Sequence, residues 1–286
     1  MGLSVEDVYV QTYERQVRHL AQQGITRIRP WCMERSVQSE GHNWERLGTQ
    51  EAVPKTRIQE TPEQDYPWSR RKSIPVTTHT GDTTEQEDIV QMIVDPNSNI
   101  VMAQAMAMKR AIDDEIISAA VGDSRDGDGG AIVFPVAQNI GDGTAAISYD
   151  LVTETTEKFM ENDIDPDEEK VFVIGPKQAR KLLQLTEATS GDYNAVRPLT
   201  SKGYIESWCG YTWVVSTRLQ EPDTDELYCF AMTKKALGLQ INKDIWSRVA
   251  EDASHSFVWR VYCAASYGAI RVEDEHLVRV HVADTV

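Results

Sequence analysis

No apolar run in this chain approaches the ~20 residues that a membrane-crossing helix needs. Residues 1–24 interleave charged and apolar positions where a secretory leader would carry an unbroken apolar stretch. These absences predict a soluble, intracellular product with no membrane partner. Basic residues are the second scarcity: 29 Lys and Arg stand against 45 Asp and Glu, a formal charge of −16. Nucleic-acid affinity comes mainly from cations that neutralise phosphates, so this balance excludes a DNA-reading protein. Cysteine is scarce too. Cys32, Cys209, Cys229 and Cys263 are scattered, with no closely spaced pair and no histidine at zinc spacing. Reduced thiols buried in a core are the expectation, rather than a disulfide or metal framework.

Missing as well are a glycine-rich phosphate loop, a dinucleotide-binding glycine fingerprint, a paired-histidine zinc helix and a serine nucleophile elbow. The enzyme classes most readable from sequence have no support here, and no cofactor is expected. What is present is ordinary globular material: 286 residues, 41% hydrophobic and 26% charged. That length allows one large domain or two joined ones. The charge is unevenly placed. Residues 1–75 hold 11 basic against 10 acidic side chains, which leaves 18 against 35, a net −17, for residues 76–286.

Helical spacing begins at Ser4, with Val5, Val8, Tyr9, Tyr13, Val17 and Leu20 on one stripe that Gly24 stops. From Ile25 to about Thr84 the text is irregular. Strand-like pieces at Val53–Ile58 and Ser73–Thr78 are interrupted by Pro54, Pro62, Pro67 and Pro75, with too little apolar content for a core of their own. Trp31, Trp44, Tyr66 and Trp68 are unusual in a solvated linker, so an arm and a long hairpin that pack on other surfaces are expected. Asp95 and Pro96 then open the longest helix, whose stripe of Val101, Ala105, Met108, Ile112, Ile116 and Ala119 runs to Gly122. Lys109 with Asp113 and Arg110 with Asp114 read as solvated helix charges. Beyond it a mixed α+β section is expected: a strand at Ala131–Val136, helices at Tyr149–Asn162 and Pro176–Leu185, and a strand at Lys170–Ile174. Strands at Tyr211–Ser216, Leu227–Ala231, Leu237–Ile241, Phe257–Tyr267 and Leu277–Val282 follow.

Asp123, Asp126 and Asp128 lack the regular spacing and closing glutamate of a calcium loop, so a solvated turn is expected. His276 and His281 are five apart, an odd offset that sends strand side chains to opposite faces, so they do not share a metal. Asp163, Asp165 and Asp167 would be the first candidates for a hydrolase or transferase site, but their placement around Pro166 reads as a turn. Arg70, Arg71 and Lys72, beside Trp68, form the only dense basic cluster. It is either a solvated loop tip or a docking element for the acidic body of another copy. The candidate intersubunit contacts are therefore Trp44, Trp68, Arg70, Arg71 and Lys72.

Several stretches resemble the capsid proteins of tailed bacteriophages of the Hong Kong 97 type, in particular a podophage-like group. They are Tyr13-Glu14-Arg15-Gln16-Val17-Arg18-His19-Leu20-Ala21-Gln22-Gln23, Val94-Asp95-Pro96 leading into Ala107-Met108-Lys109-Arg110-Ala111-Ile112-Asp113-Asp114-Glu115-Ile116-Ile117, Val173-Ile174-Gly175-Pro176, Gly203-Tyr204-Ile205, Gly210-Tyr211-Thr212-Trp213, Ala236-Leu237-Gly238-Leu239 and Arg260-Val261-Tyr262. The resemblance spans nearly the whole chain and rests on the order and spacing of these pieces. It implies an α+β capsid fold with an N-terminal arm (1–45), an extended loop (46–94), a peripheral domain with a spine helix (95–140), an axial domain (141–240) and peripheral return strands (241–286). It also implies a shell subunit without catalytic activity, forming hexamers and pentamers in an icosahedral virion assembled in the bacterial cytoplasm. A separate scaffolding protein and a portal would be partners, and the packaged DNA would be enclosed without sequence-specific binding. An acidic inner wall would keep that DNA mobile. An encapsulin-like compartment enclosing an enzyme shares the same fold and remains the nearest alternative.

Overall fold

The computed structural model describes residues 21–50, 52–60, 63, 65–85, 96–185, 205–255 and 257–284. The helix expected from Ser4 lies outside them as far as residue 20, as do Asp95 and Gly203–Tyr204. In chain order the strands and helices are β1 (Met33–Ser36), β2 (His42–Leu47), β3 (Trp68–Ser73), β4 (Val76–Thr84), α1 (Pro96–Val121), β5 (Ser124–Arg125), β6 (Ala131–Ile132), β7 (Asn139–Ile140), α2 (Tyr149–Glu161), β8 (Lys170–Ile174), α3 (Pro176–Leu183), β9 (Ser207–Trp208), β10 (Tyr211–Val215), β11 (Glu226–Thr233), β12 (Leu237–Asp252), β13 (Val258–Arg271) and β14 (Leu277–Ala283). This is the α+β class that the sequence implies.

The chain forms two compact units. One comprises Met1–Ile25, Thr78–Lys109 and Ile245–Ala265, the other Thr26–Thr77, Arg110–Asp244 and Ser266–Val286. The second unit is built on a six-stranded mixed sheet of order β7-β14-β11-β8-β10-β9. All five residues of β8 are buried, which explains why Lys-Val-Phe-Val-Ile shows no polar alternation: a strand covered on both faces has no solvent side. Helix α2 starts at Ser148, whose hydroxyl accepts the Leu151 N–H, and it buries Val152, Thr155 and Phe159. It packs on β14 and β7. Phe159, Phe172, Tyr211 and Trp213 form a continuous aromatic core, with the Phe172 and Trp213 rings stacked 4.6 Å apart. Residues 241–286 divide between sheets, because β14 pairs with β11 in this one, while β12 and β13 are central in a four-stranded sheet of order β1-β12-β13-β4.

Helix α1 has 26 residues and is about 39 Å long. Its buried positions run Gln104, Met108, Ile112, Ile116 and Ala120, joined by Asp113, Ile117 and Val121. The expected stripe is therefore right at Met108, Ile112 and Ile116, whereas Val101, Ala105 and Ala119 are only partly covered. The helix charges differ more. Asp113 is 1% exposed, and its carboxylate accepts the backbone N–H groups of Arg27 (2.9 Å) and Ile28 (3.4 Å). Asp114 pairs with Arg218, and Lys109 donates to the Gly24 carbonyl at 3.0 Å. These side chains tie the chain ahead of β1 and the 216–220 turn to the helix, which is why they are not the solvated i,i+4 pairs that the sequence predicts.

Three other expectations change. Residues 53–58 are exposed and irregular rather than a strand, since Pro54 lacks an N–H for a ladder and no strand among the described residues pairs with them. The piece expected at Ser73–Thr78 is the junction of β3 and β4, broken at Ile74–Pro75. The strand expected at Ala131–Val136 is two residues long and ends before a 3-10 turn at Val136–Gln138.

Candidate intersubunit surface

The basic cluster sits on β3, which pairs antiparallel with β2 in the register Trp44↔Arg71, Glu45↔Arg70 and Leu47↔Trp68. Directly opposed residues share a face and neighbours along a strand alternate faces. The hairpin therefore sorts the five candidates into two sets. Trp44 and Arg71 point inward, and Trp68, Arg70 and Lys72 lie on the other face.

Trp44 is 7% exposed and packs with Ile270, Val272 and Met33. Its indole N–H donates to Ser73 Oγ at 3.2 Å. The ring lies over Gly238 so closely that a Cβ there would be 2.6 Å from it. Only a residue without a side chain leaves space for the indole. Arg71 is 4% exposed, and its Nη2 meets Asp274 Oδ2 at 2.6 Å, while Arg271 Nε holds Asp274 Oδ1 at 2.6 Å. Desolvation lowers the Arg71 pKa from its ordinary value, with Asp274 opposing that shift. Both residues thus have partners within the subunit, and Arg71 does not share the solvent exposure of Arg70.

The same cluster finishes α1. Arg271 donates to the Gly122 carbonyl and Arg279 Nη1 to the Val121 carbonyl at 2.9 Å. The two guanidinium groups lie 4.6 and 4.1 Å from the centre of the Phe134 ring. The last turn of α1 carries no basic residue of its own, so arginines from β13 and β14 satisfy its terminal carbonyls and complement its dipole.

On the outward face Trp68 is 69% exposed, and Arg70 makes an exposed ion pair with Glu45 at 2.9 Å. Lys72 is half-buried. Between the two strands the chain leaves as a loop closed at its base by the Gly48 N–H donating to the Pro67 carbonyl at 2.9 Å. Leu47, Val53, Ile58, Tyr66 and Trp68 are all exposed large apolar residues of this hairpin and loop. Five large apolar side chains are thus left in solvent on this one hairpin and its loop.

The remaining candidates are structural. Asp123 Oδ1 accepts the Phe134 N–H at 3.2 Å, and Asp126 belongs to the turn between β5 and β6. His276 and His281 have separate partners, Thr233 and Glu226. Asp163 and Asp165 lie in turns between α2 and β8. Among the described residues no three His, Cys, Asp or Glu side chains converge as metal ligands, and no helix is long and apolar enough to cross a membrane. Cys32, Cys229 and Cys263 are buried, but Cys209 is exposed, at a tight turn where it and Gly210 both have positive φ.

Comparison with known proteins agrees with this architecture. The model of the family described as phage capsid protein matches residues 5–284. Comparison with curated proteins finds no match. Among solved structures, the capsid of the cyanophage P-SCSP1u superposes with a TM-score of 0.78 at 14% identity, covering 100% of this chain and 96% of that one. A chain of Mycobacterium phage Che8 gives 0.73 at 13% identity, over 97% and 98%. The mature capsid of bacteriophage PhiM1 gives 0.73 at 15% identity, over 98% and 94%. The family match over nearly the whole chain and the shared architecture give the assignment together: this chain belongs to the phage capsid protein family and is a shell-forming subunit of the Hong Kong 97-like α+β fold.

Proposed function

We propose that copies of this chain assemble as hexamers and pentamers into the icosahedral head that encloses the double-stranded DNA genome. The outward face of the β2–β3 hairpin and its 48–67 loop lie against a neighbouring copy. The exposure of Leu47, Val53, Ile58, Tyr66 and Trp68 on that one segment carries the proposal. A free subunit leaves this surface in water, and burying it on a neighbour gives association its apolar drive. Trp68, Arg70 and Lys72 are the contact residues in this reading, with Trp44 and Arg71 holding the hairpin's inner face in place. A separate scaffolding protein and a portal act during assembly in the host cytoplasm. The genome is enclosed without sequence-specific contact, in keeping with the net −17 of residues 76–286.

Sedimentation velocity with negative-stain imaging tests this on the protein expressed alone and together with the product of the gene immediately upstream. Closed shells of uniform diameter in either preparation are expected. A stable small oligomer in both would refute the assembly reading, and a co-purifying enzyme cargo in place of a scaffold would favour an encapsulin-like compartment. Reversing charge at Arg70 and Lys72 together should lower shell yield without changing the far-UV spectrum. Arg71 is left out of that variant because its partner is Asp274.

A further inference from the structure

A guanidinium group carries only N–H donors and no acceptor, so a buried arginine needs acceptors along its edges. Arg71 of β3, Arg271 at the end of β13 and Arg279 of β14 meet at the C-terminus of α1, all within one compact unit. Arg71 gives Nη2 to Asp274, and Arg271 gives Nε to the other oxygen of that carboxylate, each at 2.6 Å. Arg271 Nη1 goes to the Gly122 carbonyl, while Arg279 goes to the Val121 carbonyl and the Asn139 side chain at 2.9 and 2.8 Å. Asp274 is therefore the one carboxylate that these cations bond among the described residues. Arg71 Nη1 and Arg271 Nη2 are left over, both buried and neither with a hydrogen-bond partner among the described residues.

Donors and positive charge are thus both in excess at this place. The carbonyl and amide oxygens satisfy N–H groups but bring no negative charge. Burial lowers the Arg71 pKa first, and Arg46 and Arg271 press it lower against the pull of Asp274 and Asp126. Asp126 and Asp123 are exposed, where solvent weakens their hold on an interior cation. The Arg71 and Arg271 side chains are 5% and 0% exposed, and that of Asp274 is 14%. A buried cation is costly unless it is both hydrogen-bonded and paired with an opposite charge. A water molecule would supply only the first of these, whereas a small anion supplies both.

We infer that Arg71 Nη1 and Arg271 Nη2 hold a small monovalent inorganic anion, of the halide class, on the edges that Asp274 leaves open. Both guanidinium groups grip one carboxylate, so they lie side by side, and the anion joins them through charge-assisted hydrogen bonds. The burial of both side chains selects a bare ion over a ligand whose chain must lead out to solvent. Held there, the ion ties β3, and with it the base of the β2–β3 hairpin, to the end of α1. The site lies inside a single subunit and does not depend on assembly.

Thermal unfolding of the unassembled full chain, at fixed pH and ionic strength with gluconate replaced stepwise by chloride, tests it. An ion that binds only the folded state raises stability with its concentration. The melting temperature should rise by about 2–4 °C once chloride is several-fold above its dissociation constant, and bromide should act like chloride. Arg71→Lys keeps a cation for Asp274 but has no second nitrogen, and it should lose that rise. Arg70→Lys, on the exposed face of the same strand, should keep it. Superimposable melts in chloride and gluconate, or the same rise in Arg71→Lys, would overturn the inference. Should Arg71→Lys fail to fold, crystals of the wild-type subunit grown in bromide give an independent readout. An anomalous peak within hydrogen-bond distance of Arg71 Nη1 and Arg271 Nη2 is expected, whereas water at that position, or bromide at the surface only, would refute the site.

Discussion

Asp274 provides the sharpest test of the internal architecture, because its partner Arg71 has an exposed neighbour on the same strand, Arg70, that serves as the control. Its two oxygens each hold an arginine at 2.6 Å, and the Arg71, Arg271 and Asp274 side chains are 5%, 0% and 14% exposed. Arg71 Nη1 and Arg271 Nη2 are buried with no hydrogen-bond partner among the described residues. Asp274→Ala would thus leave two guanidinium groups facing each other in the interior. Breaking a buried pair in this way costs about 3–5 kcal/mol. With a slope of about 3 kcal/mol per molar urea for a chain of this size, the midpoint should fall by about 1 to 1.7 M. Arg70→Ala, one residue from Arg71, removes an ion pair whose side chains are 60% and 47% exposed. Such a pair contributes less than about 1 kcal/mol, so that midpoint should move by no more than about 0.3 M. Urea unfolding of unassembled subunit, followed by far-UV circular dichroism, measures both. Equal shifts for the two variants would refute the assignment of Arg71 to the interior and Arg70 to the surface.

Trp44→Ala should destabilise the subunit by about 3–5 kcal/mol by emptying the seat over Gly238, read as a lowered melting temperature; a near-neutral effect would mean that the indole is not packed there. Burial raises the Glu115 pKa above its ordinary 4.5, with an Ala269 backbone hydrogen bond opposing it. For an acid whose folded pKa is raised, the folded state is favoured while the group is protonated and loses that advantage as pH rises through the shifted value. Glu115→Gln should therefore raise the melting temperature at pH 7 and have little effect below pH 4, and a gain confined to acid would contradict the sign. In native unassembled subunit a thiol reagent should modify Cys209 alone, with all four cysteines reacting in denaturant. Burial around that thiol pushes its pKa up to about 11, so its labelling should accelerate as pH is raised above 8.

Much of the scaffold is legible because periodicity reports burial directly. The run Lys170–Ile174, the stripe through Met108, Ile112 and Ile116, and Pro176 at a helix start all point to what forms there. Less legible are features decided by partners distant in sequence. Asp113 reads as a helix surface charge because nothing near it shows that Arg27 and Ile28 bring backbone N–H groups to it. The outer half of β12, Asn242–Asp252, is too polar to announce a strand, since pairing rather than an apolar face carries it. The sorting of the basic cluster was available in principle. Arg70, Arg71 and Lys72 on any strand must alternate faces, and recognising β3 as a strand would have separated Arg71 from its neighbours. What no local pattern could supply is Asp274, 203 residues away from Arg71.

The contact between Trp44 and Gly238 binds two distant positions into a single unit of heredity. Any side chain gained at position 238 needs the ring at 44 to shrink in the same lineage, and a smaller residue at 44 leaves a space that 238 is free to fill. Neither step is harmless alone, so drift at either site passes through a weakened subunit. Where relatives differ at these positions, they should differ at both, and the compensating change in volume should be traceable across the branch on which it arose.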